Sequence, residues 1–315
     1  MNVASPTPAL TTRGLARSFG AVSAVESLDL TVARGEMFGL VGPDGAGKST
    51  AIRLLCGILK PTSGEGRVLG FDLAREAEQV KSRIGYLSQN FTLYGDLTID
   101  ENIEFFADLH GVDGWKKRRD ELLEFTRLTP FRRRLAGALS GGMKKKLALA
   151  CTLIHTPELI FLDEPSTGVD PVSRGEFWNI LSGILEQGVT IFMTTPYLDE
   201  AERCHAISLM HRGRVFMTGT PDEVRAALPG KVFDIECPVP LAAYQSLRAR
   251  WSSTNLVLFG DHVHFWTPDG EADARSCVEW LDGHALGPAR YRPAAPSLED
   301  AFVALLGEGQ ERKTK

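Results

Sequence analysis

The sequence predicts an α/β fold: a mainly parallel sheet carrying a phosphate-binding loop, preceded by antiparallel β segments, interrupted by a helical insertion and followed by a small α+β domain. Three observations carry that reading. The run Gly42-Pro43-Asp44-Gly45-Ala46-Gly47-Lys48-Ser49-Thr50 matches G-x-x-x-x-G-K-[ST]. Apolar segments of strand length alternate with segments of helical periodicity, which implies parallel strands with helices on the sheet faces. The texture turns helical over about residues 90–155 and changes again near Lys231, dividing the chain into 1–228 and 229–315.

Taken in order, Leu15 to Val32 reads as two β segments around Phe19-Gly20, leading through Arg34-Gly35-Glu36 into a strand over Met37 to Val41. The loop follows, and Thr50 to Leu59 carries apolar residues at helical spacing. Pro61-Thr62-Ser63-Gly64 is turn chemistry, and Ile84 to Ser88 is a strand ending at Gln89. In the insertion, Thr98 and Glu101 form a capping box for a helix with Ile99, Ile103 and Phe106 on one face. A charged helix follows over Trp115 to Thr126. The alternation resumes with Leu159 to Leu162 (strand), Val172 to Gln187 (helix) and Val189 to Thr195 (strand). Ile207 to Met210 and Val215 to Met217 flank a turn at His211-Arg212-Gly213, and Thr220-Pro221-Asp222-Glu223 caps another helix. Beyond Lys231, strands are expected over Val232 to Cys237, Asn255 to Gly260 and His262 to Thr267. Helices are expected over Leu241 to Trp251, Asp273 to Leu281 and Ser297 to Leu306.

With 315 residues, 43% hydrophobic and 24% charged, the chain has the composition of a soluble globular protein with real cores. A net charge of −5 gives no general attraction to nucleic acid. Five scattered cysteines, an odd count without a C-x-x-C pair, argue against a disulfide framework or zinc module and fit a reducing cytosol. The polar start, Met1 to Thr12, lacks the apolar core of a signal peptide, and no apolar run approaches bilayer length, so any membrane role is expected to come through a partner. The basic runs Lys116 to Arg119, Arg132 to Arg134 and Lys144 to Lys146 read as solvated faces of the insertion, with contact to anionic lipid as the alternative.

The loop glycines allow successive backbone N–H groups to face a phosphate at a helix start, where Lys48 would reach the β- and γ-phosphates and Ser49 would hold Mg²⁺. Leu159-Ile160-Phe161-Leu162-Asp163-Glu164-Pro165 is an apolar strand ending in two carboxylates. Alone this is a common strand end. Beside a phosphate loop, Asp163 would orient Mg²⁺ or its water and Glu164 would polarise the water attacking the γ-phosphate. Leu139-Ser140-Gly141-Gly142-Met143, at the start of another helix, offers a hydroxyl, free N–H groups and a dipole to a second phosphate. The first anion site being accounted for, this second one makes sense if it serves another subunit's nucleotide.

These strings, in this order, resemble the nucleotide-binding subunit of an ATP-binding cassette (ABC) transporter over roughly Leu10 to Arg225: GPDGAGKST its Walker A, LIFLDEP its Walker B and LSGGM its signature. The resemblance implies ATP and Mg²⁺ as cofactors and places Gln89 at the Q-loop position, sensing Mg²⁺ and touching the membrane subunit. It places Asp170, in Gly168-Val169-Asp170-Pro171, in the loop that crosses a dimer, and Phe19 where an aromatic ring stacks on adenine; an ordinary core phenylalanine is the alternative. Gln89 to Thr98, with Phe91 and Leu93 as candidate docking residues, resembles the ABC-2-type exporter branch, especially drug-efflux members. So does the C-terminal region ending Pro296-Ser297-Leu298-Glu299-Asp300-Ala301-Phe302.

Two residues depart from the pattern. Asp44 stands where the family often has Asn. The histidine expected after the strand Val189 to Thr195 is Pro196, which has no side-chain donor and no N–H. The resulting expectation is a cytoplasmic ATPase subunit, peripheral on the inner face of the membrane, that pairs with a second cassette and drives a transmembrane permease, with no specific nucleic acid. A catalytically weak cassette of a heterodimer and a non-transport ABC ATPase acting on ribosome or nucleic acid are the rivals.

Overall fold

The computed structural model describes residues 7–90, 93–251 and 256–311. Phe91 and Thr92, and the first residue of the strand expected at Asn255, lie outside them. The chain divides into two compact units, Met1–Val215 and Phe216–Lys315. The capped helix at Pro221–Ala226 thus stands in the second unit, on the far side of the division from where composition drew it.

The strands of the first unit are β1 (Leu10–Phe19), β2 (Val22–Val32), β3 (Met37–Val41), β4 (Ser63–Val68), β5 (Phe71–Asp72), β6 (Ile84–Leu87), β7 (Leu159–Asp163), β8 (Thr190–Thr195) and β9 (Ala206–His211); β10 (Arg214–Gly219) begins here, pairing through Arg214 with Ser27. Their order is β5-β4-β1-β2-β10-β9-β3-β8-β7-β6. The β1, β2, β4 and β5 end is antiparallel, whereas β9, β3, β8, β7 and β6 run parallel. Every residue of β3, β7 and β8 is buried, the signature of central parallel strands covered on both faces. Phe38, Phe161 and Phe192 pack ring on ring across them, with centroids 5.5 Å apart. The register sets Val41 beside Thr195 and Thr194 beside Asp163, so the chain leaves three adjacent strands at one edge. In open α/β sheets that edge, outside the carboxyl ends of the strands, is where ligands bind.

Helix α1 (Lys48–Leu55) follows β3 and α2 (Ala77–Lys81) precedes β6. The insertion holds α3 (Ile99–Leu109), α4 (Trp115–Phe125), two single 3-10 turns and α5 (Gly141–Leu153). Thr98 and Glu101 form the reciprocal capping box at α3. Buried Asn102 then ties the preceding loop, its amide donating to the carbonyls of Tyr94, Leu97 and Thr98. The basic runs are partly paired inside the unit: Arg119 and Arg132 meet Asp100 and Asp120, and Lys146 is buried against Glu176 rather than solvated, while Lys116, Lys117, Arg133, Arg134 and Lys144 are exposed as expected. Helices α6 (Pro171–Glu186) and α7 (Leu198–Ala201) complete the unit. Among the described residues no helix is long and apolar enough to cross a membrane, and all five cysteines are free.

The second unit contains α8 (Pro221–Ala226), β11 (Lys231–Glu236), α9 (Pro240–Arg248), β12 (Leu256–Phe259), β13 (His262–Thr267), α10 (Glu271–Gly283), β14 (Arg290–Ala294) and α11 (Leu298–Glu311). Its antiparallel sheet has the order β12-β13-β11-β14, and Ile235, Val263 and Phe265 pack with Ala243, Leu247, Cys277 and Leu281 of α9 and α10. Strand β14 gives little sequence signal, because the alternation Arg290-Tyr291-Arg292 is short and runs into Pro293, which argues against a strand. It is an edge strand, where Pro293 is tolerated.

Candidate functional site

The loop from Gly42 to Gly47 is shaped by close backbone approach. A β-carbon on Gly42 would stand 2.2 Å from the Met210 carbonyl oxygen, and one on Gly47 2.3 Å from that of Ala24. Gly45 and Gly47 take φ of 76° and 105°, a region that glycine enters without strain. The loop is anchored by Gly42 N–H to the Thr195 carbonyl (3.2 Å), Ala46 N–H to that of Pro43 (3.1 Å), and Gly213 N–H to that of Ala46 (2.8 Å). Gly47 caps α1 without a side chain, leaving the first-turn N–H groups of the helix to an anion.

Lys48 is 3% exposed and folds back over the loop. Its ammonium donates to the carbonyls of Gly42 (2.8 Å) and Pro43 (3.1 Å) and pairs with Glu164 Oε1 at 3.1 Å. The Asp44 carboxylate lies 4.0 Å from the same ammonium and is almost wholly in solvent. Asp163 Oδ1 accepts from Ser49 Oγ (3.1 Å) and Thr194 Oγ1 (2.7 Å). Asp163 Oδ2 is buried with no hydrogen-bond partner among the described residues. An orphaned carboxylate oxygen beside a serine hydroxyl, in an oxygen-donor setting, fits a Mg²⁺ bound with phosphates.

Glu164 has φ of 49°, uncommon for a residue with a β-carbon, and is held there by its N–H, which donates to both Thr194 O and Thr194 Oγ1 at 3.1 Å. Gln89 Nε2 donates to Glu164 Oε2 at 3.0 Å, so the carboxylate is pinned by one residue at each oxygen. Lys145 Nζ donates to the Gln89 carbonyl (3.1 Å); burial lowers its pKa, opposed by the charges of Asp163 and Glu164. The loop, Thr50, Gln89, Glu164, Pro196, Tyr197, Arg212 and Val22 to Ala24 line one open cleft of about 780 Å³.

Pro196 therefore stands in the cleft wall, where its ring offers no donor. His205 does not replace it. Met37 N–H donates to His205 Nδ1 (3.2 Å) and His205 N–H to the Met37 carbonyl (2.8 Å), which fixes that ring at the opposite end of β3 from the loop. Phe19 is 47% exposed at the end of β1 with the Arg17 guanidinium 4.6 Å from its ring centre, so it is not a core residue.

Ser140, Gly141, Gly142 and Asp170 are brought together, but not into that cleft. Ser140 Oγ caps α5 through Met143 N–H (3.3 Å). Asp170 caps α6 through Ser173 N–H (3.0 Å), and hydrogen bonds from Ser173 hold its carboxyl below the usual range. A β-carbon on Gly142 would lie 2.3 Å from Ser173 Oγ, so the two helix starts are in contact.

Residues without a sequence motif complete the site. Glu200, fully buried at α7, accepts from Thr195 Oγ1 (2.6 Å), Ser166 Oγ, and Arg174 Nε and Nη2 (3.0 and 2.8 Å). It links the end of β8, the turn after Glu164 and the first turns of α6. The available signal was position: Thr194 and Thr195 end a strand paired with those that end at Asp163 and Val41.

Residues 25–167 match the family model described as ABC transporter. The probable multidrug ABC transporter ATP-binding protein YbhF of Escherichia coli is 39% identical over 95% of this chain. The chain spans about half that relative's length, 52%. The daunorubicin/doxorubicin resistance ATP-binding protein DrrA of Streptomyces peucetius is 39% identical over 98% of this chain and 96% of its own. A solved dimeric post-hydrolysis state of an ATP-binding cassette bound to ADP and Pi superposes with a TM-score of 0.61 at 25% identity, over 67% of this chain and 98% of that one.

Proposed function

This chain belongs to the ABC transporter family, and on that premise we propose that it is the ATP-binding and ATP-hydrolysing subunit of an ABC-2-type exporter of drugs or other hydrophobic compounds. One observation carries the ATPase reading: Lys48, Ser49, Glu164 and Gln89 line a single cleft, and directly behind Ser49 lies buried Asp163, whose Oδ2 has no hydrogen-bond partner among the described residues. The exporter reading leans on relatives named for multidrug and daunorubicin/doxorubicin resistance.

Ser49 Oγ, Asp163 Oδ2 and the side-chain amide oxygen Oε1 of Gln89 would hold Mg²⁺, which when bound neutralises phosphate charge. Lys48 leaves the Gly42 and Pro43 carbonyls and Glu164 for the β- and γ-phosphates. That exchange frees Glu164 Oε1 to take a proton from the water attacking the γ-phosphate, with ADP as the leaving group. Gln89 keeps its hold on Oε2 and orients the carboxylate.

Because Ser140, Gly141, Gly142 and Asp170 lie off the cleft, we assign them to the nucleotide of a second cassette in a head-to-tail dimer, beneath a permease on the cytoplasmic face of the membrane. Leu93 and the loop tied by Asn102 are the docking candidates; Phe91 lies outside the described residues. Pro196 favours a specific arrangement, a heterodimer in which this chain's own cleft mainly holds ATP while its signature completes a competent site on the partner. Neither reading calls on a ribosome or nucleic acid. The test is Lys48→Ala, expected to lower ATP affinity at least about tenfold by removing the ammonium aimed at the phosphates. A fluorescent ATP analogue bound as tightly by the folded variant would overturn the assignment. Affinity capture from detergent extracts should retrieve a membrane subunit, and recovery of only soluble partners would overturn the exporter reading.

A further inference from the structure

The second unit holds a cluster of ionisable side chains that the nucleotide chemistry does not use. His262 and His264, two apart on β13, project from the same sheet face. Asp234 on β11 is the register partner of His264 and shares that face. Asp234 Oδ1 lies 2.7 Å from His264 Nδ1 and 3.4 Å from His262 Nε2, and the three donor atoms fall within 4.8 Å of one another. In a tetrahedral site with bonds of about 2.0–2.1 Å, neighbouring donors stand about 3.3 Å apart. A divalent ion is therefore accommodated by shifts of under about 1 Å.

The other nitrogen of each ring is the more telling feature. His264 Nε2 is 3.0 Å from Asp300 Oδ2 at the start of α11, and His262 Nδ1 is 2.8 Å from Asp261 Oδ1. Both imidazoles thus carry a carboxylate on the nitrogen facing away from the cluster, the arrangement that fixes tautomer and ring direction in histidine–metal sites. Asp300 is in turn held by Ser297, whose N–H and Oγ–H both donate to Asp300 Oδ2 at 2.7 Å. Arg292 Nη2 approaches Asp234 Oδ2 at 3.3 Å and leaves Oδ1 facing the rings, while Phe259 stacks on His262 and meets His264 edge-on.

We propose that Asp234, His262 and His264 form a zinc site, with water as the fourth ligand. Two imidazoles and one carboxylate suit Zn²⁺; Mg²⁺ and Ca²⁺ prefer oxygen donors throughout. Zn²⁺ takes the place of the proton between His264 Nδ1 and Asp234 Oδ1, and binding releases that proton to solvent. Through Asp300 the ion fixes the first turn of α11 to β13.

The experiment titrates Zn²⁺ into the full chain, stripped of metal and nucleotide, with a fluorescent chelator as competitor. One equivalent is expected to bind with Kd below about 1 μM, with a tetrahedral visible spectrum when Co²⁺ is used. His262 is partly exposed, so His262→Ala tests the site without opening a buried position and should weaken binding at least tenfold. Asp261→Asn, which touches only the back of the His262 ring, should weaken it by about ten-fold. His284→Ala, at an exposed histidine outside the cluster, should leave binding unchanged. No binding tighter than about 100 μM, an affinity unaltered by His262→Ala, or one lost in His284→Ala would each overturn the proposal and leave the cluster as a charged network holding α11.

Discussion

The ion pair between Lys48 and Glu164 makes an opposing demand on the residue that must reach phosphate, and Glu164→Gln should expose it as tighter binding of ADP. At 3.1 Å and an effective dielectric constant near 20, the pair attracts by about 5 kcal/mol. Most of that is offset by taking two nearly buried charges out of water. If about 1–2 kcal/mol survives, Lys48 must forgo it to engage a β-phosphate, and removing the carboxylate should raise ADP affinity about five- to thirty-fold. ADP is the right probe, since it carries the β-phosphate but lacks the γ-phosphate that would favour dimer closure, and AMP, lacking both, is the control. The assay is equilibrium titration of the isolated chain with a fluorescent ADP analogue. Loss of one negative charge could tighten phosphate binding without Lys48, so the measurement is repeated on Lys48→Ala. Release of Lys48 requires the gain to shrink to under about threefold in that background. An equal gain with and without Lys48, or none at all, would refute the ion pair as a competitor for phosphate.

Pro196→His should raise the ATPase rate of the isolated chain, measured by phosphate release. Equal rates would remove the case for a degenerate site. Gly142→Ala drives a methyl group into Ser173 and should cost about 1–3 kcal/mol, read as a fall in Tm that Ser173→Gly partly restores. Stability should also decline as pH falls from about 6.5 towards 4. Burial, and then the nearby His110, depress His155 to about 4, so the folded chain binds fewer protons than the unfolded one in that window and stability is complete only above it. In a Tm series against pH, His155→Phe should flatten that stretch of the curve while keeping the stack on His110; an unchanged slope would place the acid sensitivity elsewhere.

The parts of this protein whose physics is local were legible before any coordinates. The phosphate loop is legible because only glycine tolerates the backbone approach at Gly42 and Gly47, and the capping boxes at Thr98 and Thr220 because donor and acceptor lie three residues apart. The buried strands β3, β7 and β8 announce themselves as unbroken apolar runs, and Asp163-Glu164 as carboxylates where such a run stops. Tertiary structure alone decided what these groups meet. That Thr194 braces both Asp163 and Glu164, that Lys48 rests on Glu164 and that Glu200 gathers Thr195, Ser166 and Arg174 all depend on the registers of β3, β8 and β7, segments more than twenty residues apart. The same holds for His262 and His264. Their spacing places them on one face, yet their partners Asp234 and Asp300 arrive from another strand and another helix, and a chain's local pattern carries no record of which distant carboxylate it will face.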